Sequence, residues 1–194
     1  MGRIFISADF DSETKTAILN TVPRTLLGQT DRIMGRGNTS EEALTKFLKI
    51  NNEKALEHFP DLPKLYIEEA AREGINHDIA FCQMCLETGF LRFGGDVEPE
   101  QNNFCGLGTI GGGVKGAFFP DAKTGVKAHI QHLKAYASTE PIAQPPVVDP
   151  RFHLVQRGIA PVVDGLSGRF ATDLQYGAKI MAILRRFYTM AGLL

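Results

Sequence analysis

Between Ile79 and Glu87 the chain reads Ile-Ala-Phe-Cys-Gln-Met-Cys-Leu-Glu. Wound as a helix from about His77 to Thr88, this stretch is apolar on nearly every face, and such a helix belongs in the middle of a domain. Its only interior polar side chains, Gln83 and Glu87, stand one helical turn apart and share a face. Gly89 is placed to end the helix in the left-handed conformation.

The rest of the chain must wrap that helix. Its 194 residues suit one compact unit, read here as an N-terminal arm or extension over residues 1–38 and a principal domain over 39–194. Thr39-Ser-Glu-Glu42 is a capping-box pattern that starts a helix, with Ala43, Leu44, Phe47 and Leu48 on its inner face and Asn51-Asn52 at its end. A second helix is expected over Leu62 to Glu73, with Pro63 in its first turn and Gly74 as its stop. Phe90 to Pro120 is glycine-rich and aperiodic, so it reads as loops or a small hairpin forming one wall of a site. Helix resumes after Asp121, with Val126, Ile130, Leu133 and Ala137 buried and with His129, His132 and the lysines mostly off that stripe. Residues 140–170 hold five prolines and form a long connection suited to lining something. Thr172-Asp-Leu-Gln175 is a second capping box, opening a last helix with Leu174, Ala178, Met181, Leu184 and Phe187 facing inward. The class is α+β but mainly α, with a small irregular or β insert.

Composition removes several functions. Lys and Arg total 21 against 22 Asp and Glu, so the broad positive field that nucleic acid or an anionic membrane requires is missing. No apolar run approaches the ~20 residues of a membrane span, and residues 1–27 lack the basic and apolar regions of a signal peptide. Cys82, Cys85 and Cys105 cannot all pair with one another, which points to synthesis in a reducing compartment.

Four motifs compete for a functional meaning. Gly106-Leu-Gly-Thr-Ile-Gly111 fits a dinucleotide pattern, but Gly112-Gly113 follow it and no helix can open there, so a turned loop is preferred. Cys82-x-x-Cys85 lies within an apolar helix, where two small buried hydrophobes are the simpler reading than a redox pair. His129-x-x-His132 lacks the third ligand of a zinc site, so no metal is assigned and a solvated face is preferred. Glu87 is different, because burial and the negative end of its helix both hold a proton on the carboxyl, as a general acid needs. Against that stands a glutamate that only caps a loop by accepting backbone amides.

Three segments, Ile79 to Gly89, Asn102-Asn-Phe-Cys-Gly106 and Ala171 to Ile180, together resemble the glucosaminidase domain of peptidoglycan hydrolases, the endo-β-N-acetylglucosaminidase family 73 of glycoside hydrolases. The resemblance runs from about Ile33 to Phe187. It implies a lysozyme-like fold that cleaves the β-1,4 bond after N-acetylglucosamine in the bacterial wall glycan without any cofactor. Glu87 takes the place of the catalytic acid, while Gln83, Asn102, Asn103, Phe104 and Tyr176 fall where the sugar site is shaped, Phe104 as a platform for a pyranose face. Phe170 stands where many members carry an aromatic hydroxyl. Many members also carry a second glutamate in a hairpin, yet Leu107 to Pro120 contains no acid.

Asp96, Glu98, Glu100 and Asp121 flank that gap, and Asp96 is the candidate second acid. It would stand ~5–5.5 Å from Glu87 in a retaining enzyme or ~6.5–9.5 Å in an inverting one, unless the substrate's own N-acetyl oxygen attacks. A lytic transglycosylase and a catalytically silent wall-binding module are the alternatives. The expected partner is the peptidoglycan glycan strand, with no nucleic acid and no membrane span. The expected place of action is the cell wall, reached as part of a larger exported protein, through a delivering partner or as a phage lysin. Oligomeric state has no signature in the sequence.

Overall fold

The computed structural model describes residues 31–95, 97–109 and 115–194. Five helices carry the fold: α1 (Glu41–Asn51), α2 (Leu62–Glu73), α3 (His77–Glu87), α4 (Ala122–Ala137) and α5 (Tyr176–Ala191). Single turns of 3₁₀ helix at Pro99–Gln101, Phe152–Leu154 and Val163–Leu166 punctuate the connections. Among the described residues β structure is limited to isolated bridges, Arg32 to Val162, Met34 to Ile75 and Ser167 to Ala171. The fold is mainly α and lysozyme-like.

Helix α3 is central, as its composition demands. Every residue from His77 to Cys85 is buried, and α2, α4 and α5 pack around it. Asn76 caps its first turn by accepting the amides of Asp78 and Ile79. Its other end closes with Gly89 at φ +58 and the Phe90 amide on the Cys85 carbonyl at 2.8 Å, the paired bonds of a Schellman motif. That closure fixes where the Glu87 side chain leaves the helix. Cys82, Cys85 and Cys105 are free thiols, all buried. Helix α2 starts at Leu62 with Pro63 in its first turn and stops at Gly74 in the left-handed conformation.

Other local expectations are corrected. Ser40, not Thr39, caps α1, accepting the Ala43 amide at 3.3 Å, because the Thr39 hydroxyl is drawn to Asp78. The box at Thr172–Gln175 does not form. Asp173 spends its carboxylate on the Gln175 amide and on Lys179, and α5 begins only at Tyr176. That displaced start changes the inner face. Leu174 is 76% exposed and Ala178 is also exposed, while Tyr176, Ile180, Ile183, Leu184, Phe187 and Tyr188 are buried. On α4 the expected stripe of Val126, Ile130, Leu133 and Ala137 is buried, but so are His129, His132 and Lys134. Each has a partner on another element. Ile33, in the segment read as an arm, is fully buried in the main core, and its amide and carbonyl bond to Pro161 and Asn76.

The connection from α4 to α5 has little helix and no ladder, so side chains satisfy its backbone. Glu73 accepts the amides of Ala143 and Gln144, both at 2.9 Å, and Gln131 accepts that of Val148 at 2.7 Å. Glu73 also pairs with Lys134 at 2.8 Å with both side chains buried. Burial alone would raise the Glu73 pKa, but the bonds from Lys134, Ala143 and Gln144 outweigh it and the net shift is downward. The result is one ordered wall along a cleft.

Candidate active site

That wall faces the end of α3 across a cleft of about 460 Å³, lined by Glu87, Cys105 to Thr109, His132, Tyr136, Arg151 and Arg169 to Thr172. A smaller hollow of about 130 Å³ beside Phe93, Val97 and Asn103 shares Glu87, Gly106 and Thr109 with it. The carboxylate thus stands where two hollows meet. A wider depression of about 1230 Å³ runs along Ser40 to Glu53, but a single helix and its flanks line it and no groups converge there.

Glu87 is exposed toward the cleft rather than wholly buried as expected, yet protein surrounds it on every other side. This crowding raises its pKa above 4.5, and the hydrogen bond from Tyr176 only partly offsets the effect. The Tyr176 hydroxyl donates to Oε1. Oε2 lies against Gly106, where an added Cβ would come within 3.4 Å of it. Gly106 holds φ +67 there, a conformation glycine adopts without penalty.

Behind Tyr176 runs a buried line of hydrogen bonds. Gln83 Nε2 donates to the Tyr176 hydroxyl at 2.8 Å, Gln83 Oε1 meets His129 Nε2 at 3.0 Å, and His129 Nδ1 meets the Tyr66 hydroxyl at 2.8 Å. Burial, with a smaller contribution from His132, lowers the His129 pKa to about 3, so the ring is neutral at ordinary pH. Since Gln83 Oε1 can only accept, His129 carries its proton on Nε2 and Tyr66 donates to Nδ1. Every donor in the line therefore points toward Glu87. Burial and the neighbouring carboxylate raise the pKa of Tyr176 well above 10.0, so its hydroxyl stays a donor.

Residues 63–189 match the family model described as mannosyl-glycoprotein endo-beta-N-acetylglucosaminidase, the glucosaminidase model. The chain belongs to the glucosaminidase family. An uncharacterized protein of Borreliella burgdorferi is 46% identical over 153 residues, covering 78% of this chain and 74% of that protein. Among solved structures, a catalytic mutant of S. aureus autolysin E, in complex with the disaccharide NAG-NAM, shares the fold with a TM-score of 0.53. The match has 15% identity and covers 84% of this chain and 72% of that one.

In this member of the glucosaminidase family the expected site residues have separate places. Glu87 lines the cleft, with Tyr176 holding its Oε1 and Gln83 acting one step behind, not on Glu87 directly. Asn103 is 1% exposed and binds the loop around it, donating to Leu107 and Ala117 carbonyls and accepting the Leu107 amide. Asn102 donates to the Phe119 carbonyl at 3.0 Å. Phe104 has no exposed face for a pyranose. It is fully buried and meets Phe59 edge-on with centroids 5.1 Å apart. These three build the floor from beneath. Asp96, the candidate second acid, lies outside the described residues, as do residues 1–30 of the N-terminal arm and Gly111 of the glycine motif. Phe170 stacks on Tyr176 with centroids 5.5 Å apart and an interplanar angle of 11°, so an aromatic face without a hydroxyl covers the residue that holds Glu87.

Sequence reasoning missed His132, Tyr136, Arg151 and Arg169 in the cleft, and Asp149 and Tyr66 behind it. The histidine motif was a signal for one of them, misread because neither Gln83 nor Asp149 is near it in sequence.

Proposed function

We propose that the chain is a peptidoglycan hydrolase that cleaves the β-1,4 bond after N-acetylglucosamine, with Glu87 as the general acid. One observation carries this reading: a carboxyl of raised pKa ends a buried helix, with its Oε1 held by Tyr176 and its side chain lining an open cleft. Family membership supports glycosidic chemistry, and the wall disaccharide held by autolysin E, on the same fold, supports the substrate class. The protonated Oε2 delivers its proton to the glycosidic oxygen as the bond to the anomeric carbon breaks. Tyr176 then donates to the carboxylate left behind, stabilising the charge as it forms. Acting on this substrate places the protein at the bacterial cell wall. Among the described residues no helix is long and apolar enough to cross a membrane.

The decisive experiment is turbidity loss of purified sacculi, with mass spectrometry of the released ends. Glu87→Gln keeps the volume and cannot donate an acid proton, so activity falls roughly 10²–10⁴-fold. Parent protein that binds sacculi without clearing them would refute catalysis, and anhydro ends in place of reducing ends would assign a lytic transglycosylase.

A further inference from the structure

The second histidine of the His129-x-x-His132 pair has no part in the line of donors behind Glu87. Its Nδ1 lies 2.7 Å from Oδ2 of Asp149, with both side chains buried. Asp149 is fixed in turn. Its Oδ1 accepts the Arg151 amide at 2.8 Å, and its own amide bonds to Gln131 at 3.3 Å. A carboxylate on Nδ1 keeps the neutral ring in the Nδ1–H tautomer and puts the lone pair on Nε2. The ring cannot turn freely, because Tyr136 and Phe170 meet it edge-on, each with a centroid distance of 5.3 Å.

Nε2 is directed to the cleft. Among the described residues it has no hydrogen-bond partner, no buried side-chain nitrogen or oxygen there is left unpaired, and His132 lines the same hollow as Glu87. Glu87 is the only carboxylate lining that hollow among the described residues. The charged and titratable groups around the ring are Asp149, Arg151 and Arg169 from the long connection, Tyr136 and His129 from its own helix, Glu87 from α3, and Cys105 from the floor. A histidine oriented by a buried carboxylate, with its free nitrogen on the cleft that holds the acid, has the arrangement of a general base.

We propose that His132, positioned by Asp149, is the catalytic base that takes the proton from the attacking water. The proposal rests on the reading of Glu87 as glycosidic acid. The bond between the anomeric carbon and the glycosidic oxygen breaks, and the leaving oxygen takes the Glu87 proton. Water oxygen bonds to the anomeric carbon, and its proton goes to Nε2, giving an imidazolium paired with Asp149. His132 then releases that proton and Glu87 regains one from solvent, so the sum is one glycosidic bond and one water converted to two hydroxyls.

The test uses the full chain on purified sacculi, with and without sodium azide. Azide attacks carbon without first losing a proton, so it replaces water plus base but cannot replace the acid. His132→Gln loses roughly 10²–10⁴-fold in kcat with KM little changed, and azide restores bond cleavage with a glycosyl azide as product. Asp149→Asn, which disturbs the ring's orientation and not the cleft surface, lowers kcat in the same direction and carries the test if the His132 variant does not fold. Folded His132→Gln within roughly tenfold of the parent overturns the proposal. So does a loss that azide leaves unchanged, which would mark a structural histidine, or azide rescue of Asp96→Asn with His132→Gln still active. Failure of Glu87→Gln to lose activity would instead overturn the reading of Glu87, so the two failures are distinct.

Discussion

Replacing Gln83 with leucine cuts the line of hydrogen bonds at its centre without changing the packing volume greatly. Both Gln83 and His129 have no solvent exposure, so water cannot take over the lost bonds. The His129 Nε2–H, now paired at 3.0 Å, is left as a buried donor without an acceptor, which costs about 1–3 kcal/mol. For a domain of this size each kcal/mol lowers the melting temperature by about 2–4 °C, so the expected loss is about 2–12 °C. The Tyr176 hydroxyl also loses the donor that orients it, so kcat on sacculi falls while KM holds. Thermal melts and initial rates are the assay. The triple change Tyr66→Phe, His129→Leu and Gln83→Leu removes the stranded partners together, so it recovers much of the stability and none of the activity, because apolar replacement of a whole buried pair is nearly neutral. A Gln83→Leu protein that melts with the parent and turns over at the parental rate would refute the directed line of donors.

Glu87→Gln has a pH signature in stability as well as in rate. With its folded pKa above 4.5, ionisation of Glu87 penalises the fold. The penalty is absent well below 4.5, grows as pH rises through the folded value, and is constant above it. Denaturant melts should therefore show the variant gaining on the parent from pH 4 to pH 8. Lys134→Met strands the Glu73 carboxylate in the interior and costs about 3 kcal/mol by urea titration, the low end for a broken buried pair because two amides remain. That deficit shrinks as pH falls below 4.5, since the depressed Glu73 pKa stabilises the fold only where the carboxyl is ionised. Gly125→Ala gains about 1 kcal/mol of helix propensity but sets a Cβ 1.8 Å from the Asn102 carbonyl oxygen. Calorimetry should show a net loss, together with reduced activity because the floor beneath Glu87 must shift.

What could be read in the sequence was whatever is decided locally. Pro63 and Gly74 bound α2, Asp121 caps α4 by accepting the Thr124 amide, and the apolar run of α3 places it at the centre. The same local logic failed where a distant partner competes. Thr39 looks like a cap until Asp78 arrives from another helix. Thr172 fails for a nearer reason, since the Gln175 amide it would accept goes to Asp173. His129, His132 and Lys134 are polar residues on a helix, which by pattern alone face water. They are buried because Gln83, Asp149 and Glu73 reach them from elsewhere, and no periodicity encodes those meetings. The place of Glu87 was legible because its helix is, whereas the groups across the cleft were not, because their wall is held by side chains of two other helices, α2 and α4.

That wall has a consequence for how the molecule tolerates change in length. Residues 143–149 hang from α2 and α4 by hooks at Glu73 and Gln131, while Gly158 and Ala160 are tied to the end of α4 through the Ala135 and Tyr136 carbonyls at 3.0 and 2.8 Å. Between these two moorings, from Arg151 to Arg157, the backbone crosses on a single short turn. Insertions beside the exposed His153 and Leu154 would lengthen the span at little entropic cost and leave seated both moorings, the buried Phe152 and the bonds from Arg157 to the Ser138 and Glu140 carbonyls. One residue added between 144 and 148 would instead throw the amides out of step with hooks that cannot slide. A change of length in this chain is therefore tolerated at one end of the cleft, while the other end is held to a fixed count.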